Sequence, residues 1–159
     1  MTPKKLNLGS GSRPLPGYTG VDLDPQADLV LDLRHLEGIP DNSVEEIIAI
    51  HVIEHFYLWE VTPLLMEWRR VLLPGGKIIL ECPDLEKASQ LFLKGAKDQM
   101  GMWAFYGNPT LKNPLHCHKW GYSPSSLEEQ LRKAGFKGCV VKEPQFKFKE
   151  RDMRMEAYK

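Results

Sequence analysis

Residues Leu6 to Pro25 read LNLGSGSRPLPGYTGVDLDP: an apolar run, a Gly-Ser-Gly turn, a short loop, then a second apolar run closing on acids. Gly9 and Gly11 let backbone N–H groups come close to a ligand, in conformations that a side chain would forbid. Asp22, at the end of a strand over Thr19–Val21, is placed to accept hydrogen bonds from two ribose hydroxyls. Open α/β sheets bind ligands at the carboxyl ends of their strands, so the pair of features describes a nucleoside pocket there.

Outward from this stretch, apolar runs alternate with helical patterns, the arrangement of a parallel sheet with helices packed on it. Further strands are expected at Leu29–Leu31, Glu46–Ile50 and Lys77–Cys82. Val61, Leu64, Leu65, Trp68, Val71 and Leu72 form one apolar stripe at helical spacing, with Pro63 in the first turn and Pro74-Gly75-Gly76 ending the helix. A second helix starts at Asp84 as N-cap. A third covers about Ser125 to Ala134, with Ser125 and Glu128 as a capping box and Gly135 as its stop. Cys139–Lys142 and Met153–Tyr158 alternate as a closing antiparallel hairpin.

The expected fold is therefore α/β: a Rossmann-like, mostly parallel sheet with helices on both faces and an antiparallel C-terminal hairpin, in a single domain over residues 1–159. Its N-terminal helices are trimmed, because Ser12–Tyr18 and the run PQADLV leave no room for them. One flank of the sheet is thinly covered, which points to a homodimer contact or a partner there. Residues 96–122 fit no regular element, yet hold Trp103, Phe105, Tyr106, His116, His118 and Trp120 among Gly, Asn and Pro. An aromatic loop of that length in a compact domain is a functional one, expected on the substrate side.

The 21 basic and 21 acidic residues balance, which argues against a general nucleic-acid surface. The one basic excess, KEPQFKFKER over Lys142–Arg151, reads as a solvated edge strand whose lysines discourage aggregation. Cys82, Cys117 and Cys139 lack paired spacing, so a reducing, cytoplasmic setting is expected. The start MTPKKLNLGSG runs directly into the first strand without a leader pattern, and no apolar run is long enough for a bilayer.

A dinucleotide would want a third glycine and a helix N-terminus facing its pyrophosphate, as in NAD-dependent oxidoreductases. Here Pro14 holds the third position, and no GK[ST] follows for a triphosphate. The ligand is thus a nucleoside with little negative charge. S-adenosylmethionine (SAM) fits: adenine, ribose, an amino-acid tail and a sulfonium cation.

At this point the ordered set GSG, VDLDP, DL, DNS, HVIEH, LLPGGKIIL and CPD, resumed by WGYSPSSLEEQLRKAGF, resembles the class I SAM-dependent methyltransferases of the small bacterial type. The resemblance implies transfer of a methyl group from SAM, leaving S-adenosyl-L-homocysteine, by in-line displacement to a small-molecule or sugar acceptor. It places Leu8, Gly9, Ser10 and Gly11 around the methionine moiety, and Asp22 on the ribose. Leu23 lies against adenine, Asp32 on the adenine amino group, and Leu33 supplies a backbone contact. Ile50 and His51 line the pocket near the sulfonium. A partner subunit that binds SAM without turning it over is the rival reading; an NAD-dependent oxidoreductase is a more distant one.

A hydroxyl acceptor calls for a general base, and His51, His116 and His118 are candidates, with Asp84 as a carboxylate option. His51 reads equally as a pocket residue and as a structural hydrogen-bonding group, whereas Glu54 and His55 read as structural. HVIEH inverts the HExxH order of helical zinc sites, and His116-Cys117-His118 has no further ligand beside it in sequence. No metal is assigned from sequence.

Overall fold

The structure, a computed structural model, describes residues 4–159; Met1–Pro3, part of the run read as leaderless, lie outside the described residues. Seven strands form one sheet in the order β3-β2-β1-β4-β5-β7-β6. They are β1 (Lys5–Leu8), β2 (Thr19–Asp22), β3 (Leu29–Val30), β4 (Val44–Ile50), β5 (Leu72–Pro83), β6 (Lys137–Lys142) and β7 (Asp152–Tyr158). The first five are parallel, and β7 runs antiparallel to both β5 and β6. The α-helices among the described residues are α1 (Leu58–Val71), α2 (Leu85–Leu93), α3 (Met102–Tyr106) and α4 (Pro124–Lys133). Among the described residues no helix is long and apolar enough to cross a membrane.

Period-two alternation divides the strands into two unlike faces. Leu6, Leu8, Ile47, Ala49, Ile78, Leu80, Met153, Met155 and Ala157 point into the core, where they meet Leu64, Leu65 and Trp68 of α1 and Leu127 and Leu131 of α4. The Trp68 indole N–H donates to the Leu33 carbonyl at 2.9 Å, so the segment after β3 is sewn to α1.

The opposite face differs in character: Lys5, Glu46, Lys77, Glu81, Lys142, Arg154 and Glu156 pair laterally across five strands there. The connections expected to be too short for helices are so, both from β1 to β2 and from β2 to β3, and the ion-pair ladder is what a sheet face uses when no helix buries it.

Several boundaries moved for local reasons. Tyr57 and Glu60 form a capping box that starts α1 earlier, which puts Pro63 in the second turn rather than the first. Pro74-Gly75-Gly76 does end the helix, but as a bulge inside a longer β5, where the register against β4 shifts. Ser123, not Ser125, caps α4, reciprocated by Ser126 and followed by Pro124 at the first helical position; Glu128 instead pairs with Arg132. Residues 96–122 contain the short α3 and two 3-10 turns, so this segment is folded rather than irregular throughout.

Glu46 is the hub of the charged face. It accepts from Lys5 at 3.2 Å and from the Tyr18 hydroxyl, and pairs with Lys77 at 2.8 Å. Burial alone would raise its carboxyl, but the bonds from Lys77, Tyr18 and Lys5 outweigh that and lower it from 4.5 to about 2. A depressed carboxylate stabilises the fold above its unfolded value and loses that contribution as pH falls towards the folded value. Glu46→Gln should therefore lower the urea midpoint most above pH 5, and the gap from the unmodified chain should close between pH 4.5 and 2. A gap independent of pH would show that the Glu46 charge does not stabilise this face.

Candidate cofactor site

A cavity of about 930 Å³ opens at the carboxyl ends of the strands, near the upper end of the ~300–1,000 Å³ usual for ligand pockets. It sits where the strand order reverses between β1 and β4, the place where open α/β sheets bind their ligands. Each parallel strand from β1 to β4 sends residues to its wall from positions at or just past its end: Gly9 and Gly11, Asp22 and Leu23, Asp32 and Leu33, Ile50 and His51.

The glycine turn and the acid are one unit. The Gly9 N–H donates to the Val21 carbonyl at 2.8 Å, and the Gly11 N–H donates to Asp22 Oδ2 at 2.8 Å. Both glycines are left-handed, at φ +68° and +55°. A Cβ on Gly9 would collide with the Val52 side chain, so glycine is required there for space as well as for backbone conformation. Asp24 donates its N–H to Asp22 Oδ1 at 3.0 Å, which fixes the carboxylate in one orientation. Leu23, 57% exposed, lies bare on the cavity wall. Asp32 lines the cavity and also pairs with Arg34 at 3.0 Å.

Two residues expected at the cofactor stand behind the wall. Leu8 is fully buried in the core, and the Ser10 hydroxyl donates to the Gly11 carbonyl at 2.9 Å. Asp84 is buried and accepts from the N–H groups of Glu86 and Lys87, capping α2 as expected but away from the cavity lining.

His51 takes φ +55°, a left-handed conformation rare for a side-chain-bearing residue and frequent at functional sites. Its Nδ1 lies 3.1 Å from Glu54 Oε1. Its Nε2 lies 2.8 Å from Asp152 Oδ2, a charge contact rather than an aligned hydrogen bond. Asp152 in turn pairs with Arg151 at 2.7 Å. Burial would neutralise this imidazole, but the two carboxylates prevail and raise it to about 9. Both ring nitrogens are thus engaged, and His51 is a cation at neutral pH.

The aromatic segment closes the far side of the cavity. His118 lies there with Nδ1 2.9 Å from the Ala104 carbonyl, and His55 with Nδ1 3.3 Å from the Cys117 carbonyl. The His55 and His118 rings stack edge-on, with centroids 4.9 Å apart. Lys147, Phe148 and Arg151 also line the cavity. They come from the basic run read as a solvated edge strand; β6 ends at Lys142, and the run after it folds back as a loop. No spacing signal marked those residues, or Asp152.

Compared with known proteins, residues 9–80 match a family model described as a methyltransferase domain. A probable S-adenosylmethionine-dependent methyltransferase of Mycolicibacterium smegmatis is 30% identical over 110 residues, 67% of this chain and 35% of that protein. The chain therefore spans about a third of the length of that relative. Residues 9–80 carry the pattern of a methyltransferase domain, and the chain is similar to SAM-dependent methyltransferases.

Solved structures agree on the fold. A SAM-dependent methyltransferase from Archaeoglobus fulgidus superposes with a TM-score of 0.66 at 15% identity, covering 99% of this chain and 86% of that one. One from Methanosarcina mazei gives 0.67 at 17%, covering 99% and 92%. A putative methyltransferase from Haloferax volcanii, in complex with the Trm112 activator, gives 0.65 at 15%, covering 97% and 81%. SAM is the cofactor of this family, and the residues present fit it. The cavity offers carboxylates and a bare glycine backbone on its strand-end side, and no helix starts at the glycine turn to hold a pyrophosphate.

Because His51, Asp152 and Arg151 are buried together, removing one charge strands the others. Breaking a buried ion pair in this way costs about 3–5 kcal/mol. Asp152→Ala should lower the stability measured by urea unfolding by that order; a loss under about 1 kcal/mol would mean that the charges are hydrated rather than mutually dependent.

Proposed function

We propose that this chain is an active methyltransferase domain that uses SAM on a small-molecule or sugar acceptor carrying a hydroxyl. The observation that carries the cofactor half of this reading is the joint between Gly11 and Asp22. A backbone shaped for close approach and a preoriented carboxylate meet at the switch point of the sheet. When bound, SAM supplies a sulfonium methyl that a nucleophile takes, with the electron pair of the broken bond returning to sulfur.

Asp22 would hold the ribose hydroxyls and Leu23 one face of adenine. Asp32 would accept from the adenine amino group. Leu33, whose carbonyl accepts from the Trp68 indole, would supply a backbone contact. Gly9, Gly11 and Ile50 would border the methionine end, with Leu8 and Ser10 shaping the turn from behind.

His51 is a positioning residue in this scheme. With both nitrogens facing carboxylates it has no free lone pair for a proton, and it holds the end of β4 against Glu54 and Asp152. His118 and His116 border the acceptor side of the cavity, opposite the glycine turn in chain order and loop origin. Most of the rate would come from alignment, since near-attack positioning contributes roughly 7–11 kcal/mol. The three free cysteines suit the reducing cytoplasm as the setting. The exposed Val30 on edge strand β3 marks the flank where a second copy would dock.

Calorimetric titration with SAM, S-adenosyl-L-homocysteine and NAD tests the reading. SAM and its product should bind and NAD should not; the reverse would overturn it in favour of a dehydrogenase. Asp22→Ala should weaken SAM by at least about tenfold, the equivalent of one lost charge-assisted hydrogen bond of ~1.5 kcal/mol. A labelled-methyl screen over sugars and small phenols then separates an active enzyme from a silent SAM-binding subunit. Binding without transfer to any acceptor would favour the second.

A further inference from the structure

HVIEH and His118 lie 63 residues apart in sequence when counted from His55, yet the fold brings them together. A ligating oxygen of Glu54 and one ring nitrogen each of His55 and His118 lie within 4.8 Å of one another. The approach is held by backbone: the N–H groups of Lys119 and Trp120 both donate to the Glu54 carbonyl, at 2.8 and 3.3 Å.

Two details of bonding make this cluster more than a packing contact. First, each histidine has its Nδ1 directed at a backbone carbonyl, Cys117 for His55 and Ala104 for His118. A carbonyl only accepts, so Nδ1 carries the proton in each and Nε2 keeps its lone pair. That is the outer-shell arrangement by which proteins fix a metal-binding imidazole. Second, Glu54 is 1% exposed, yet only one of its oxygens is satisfied: Oε1 faces His51, while Oε2 has no hydrogen-bond partner among the described residues. A buried carboxylate oxygen left unpaired is costly, and a ring nitrogen of each imidazole stands beside that carboxylate.

We infer that Glu54, His55 and His118 form a divalent-cation site on the acceptor side of the cavity, suited to zinc or manganese. Two imidazoles and one carboxylate are the wrong donor set for calcium or magnesium, which take oxygen shells. Cation–ligand bonds of about 2.0–2.2 Å would draw the donors to roughly 3–3.5 Å apart, so the side chains close by about an ångström. Three protein ligands leave coordination positions open, and His55 and His118 both line the cavity. The inference rests on the methyltransferase reading for its use: an acceptor hydroxyl coordinated there would be oriented and acidified, releasing its proton to water. The acceptor class it selects is one with a hydroxyl able to ligate a cation, and no side-chain base is then required of His51.

The test uses the full chain, freed of metal by a chelator and titrated with manganese chloride. One cation should bind per chain, with broadening of the His55 and His118 ring-proton signals by the paramagnetic ion. His118→Ala and His55→Ala should each weaken manganese by at least about tenfold, with far-UV circular dichroism showing the variants folded. Zinc chloride should displace the manganese. No saturable binding of either ion, or broadening confined to other histidines, would overturn the site, and the unmodified chain alone decides this if a variant fails to fold. SAM titration of the same sample keeps the readings apart. SAM bound without a cation overturns the metal site alone; a cation bound without SAM overturns the methyltransferase reading alone.

Discussion

A buried run of alternating charge, Glu54–His51–Asp152–Arg151, is the constraint from which the rest of the site follows. It joins four pieces of chain: the end of β4, the turn after it, the start of β7, and the loop before β7. Arg151 continues the run by donating to the Gln99 carbonyl, which ties in the segment ahead of α3. Each member is nearly excluded from water, so each depends on its neighbours for compensation. That mutual dependence fixes where the end of β4 stands relative to the aromatic segment. It also accounts for the left-handed backbone of His51, a conformation that persists only where surroundings over-determine it.

The one-sided build of the sheet explains why so small a chain can hold a large cavity. Helices α1 and α4 bury the apolar face, while the opposite face is closed laterally by Glu46, Glu81, Arg154 and Glu156 and by the short loop carrying Tyr18. Omitting helices between β1 and β3 removes a layer but leaves every strand end in place. The residues that line the cavity stand at those ends, so the cavity survives the trimming. Glu81 shows how the two economies meet: it pairs with Arg154 on the charged face and accepts the Gln145 and Phe146 N–H groups, anchoring the loop that carries Phe148 to the cavity wall.

What sequence revealed divides along the same line. Strand-end residues were legible because a glycine turn, an acid after an apolar run, and short spacing between them are local facts. Gly9, Gly11, Asp22, Leu23, Asp32, Leu33, Ile50 and His51 all line the cavity. Leu8 and Ser10 stand behind that wall, because strand alternation puts Leu8 in the core and the Ser10 hydroxyl bonds the Gly11 carbonyl. Asp84 was read both as a cap and as a candidate base, and its bonds to the α2 N–H groups realise the first. Asp152, Phe148 and the nearness of His55 to His118 were not legible. They depend on β7 running antiparallel beside β5 and on a loop returning over it, pairings across 60 or more residues that no spacing encodes.

The two walls of the cavity are therefore different kinds of structure. The proposed cofactor side is made by backbone and strand ends, whose geometry the sheet imposes. The opposite wall, the proposed acceptor side, comes from the segment 96–122 and the loop after β6, held by Asn108 and Asn113 caps and backbone hydrogen bonds. Such loops tolerate substitution far better than the strands beneath them. On the proposed function, specificity for the acceptor would then reside in what these loops carry into the cavity, the histidines, Trp103, Phe148 and Arg151, rather than in the sheet.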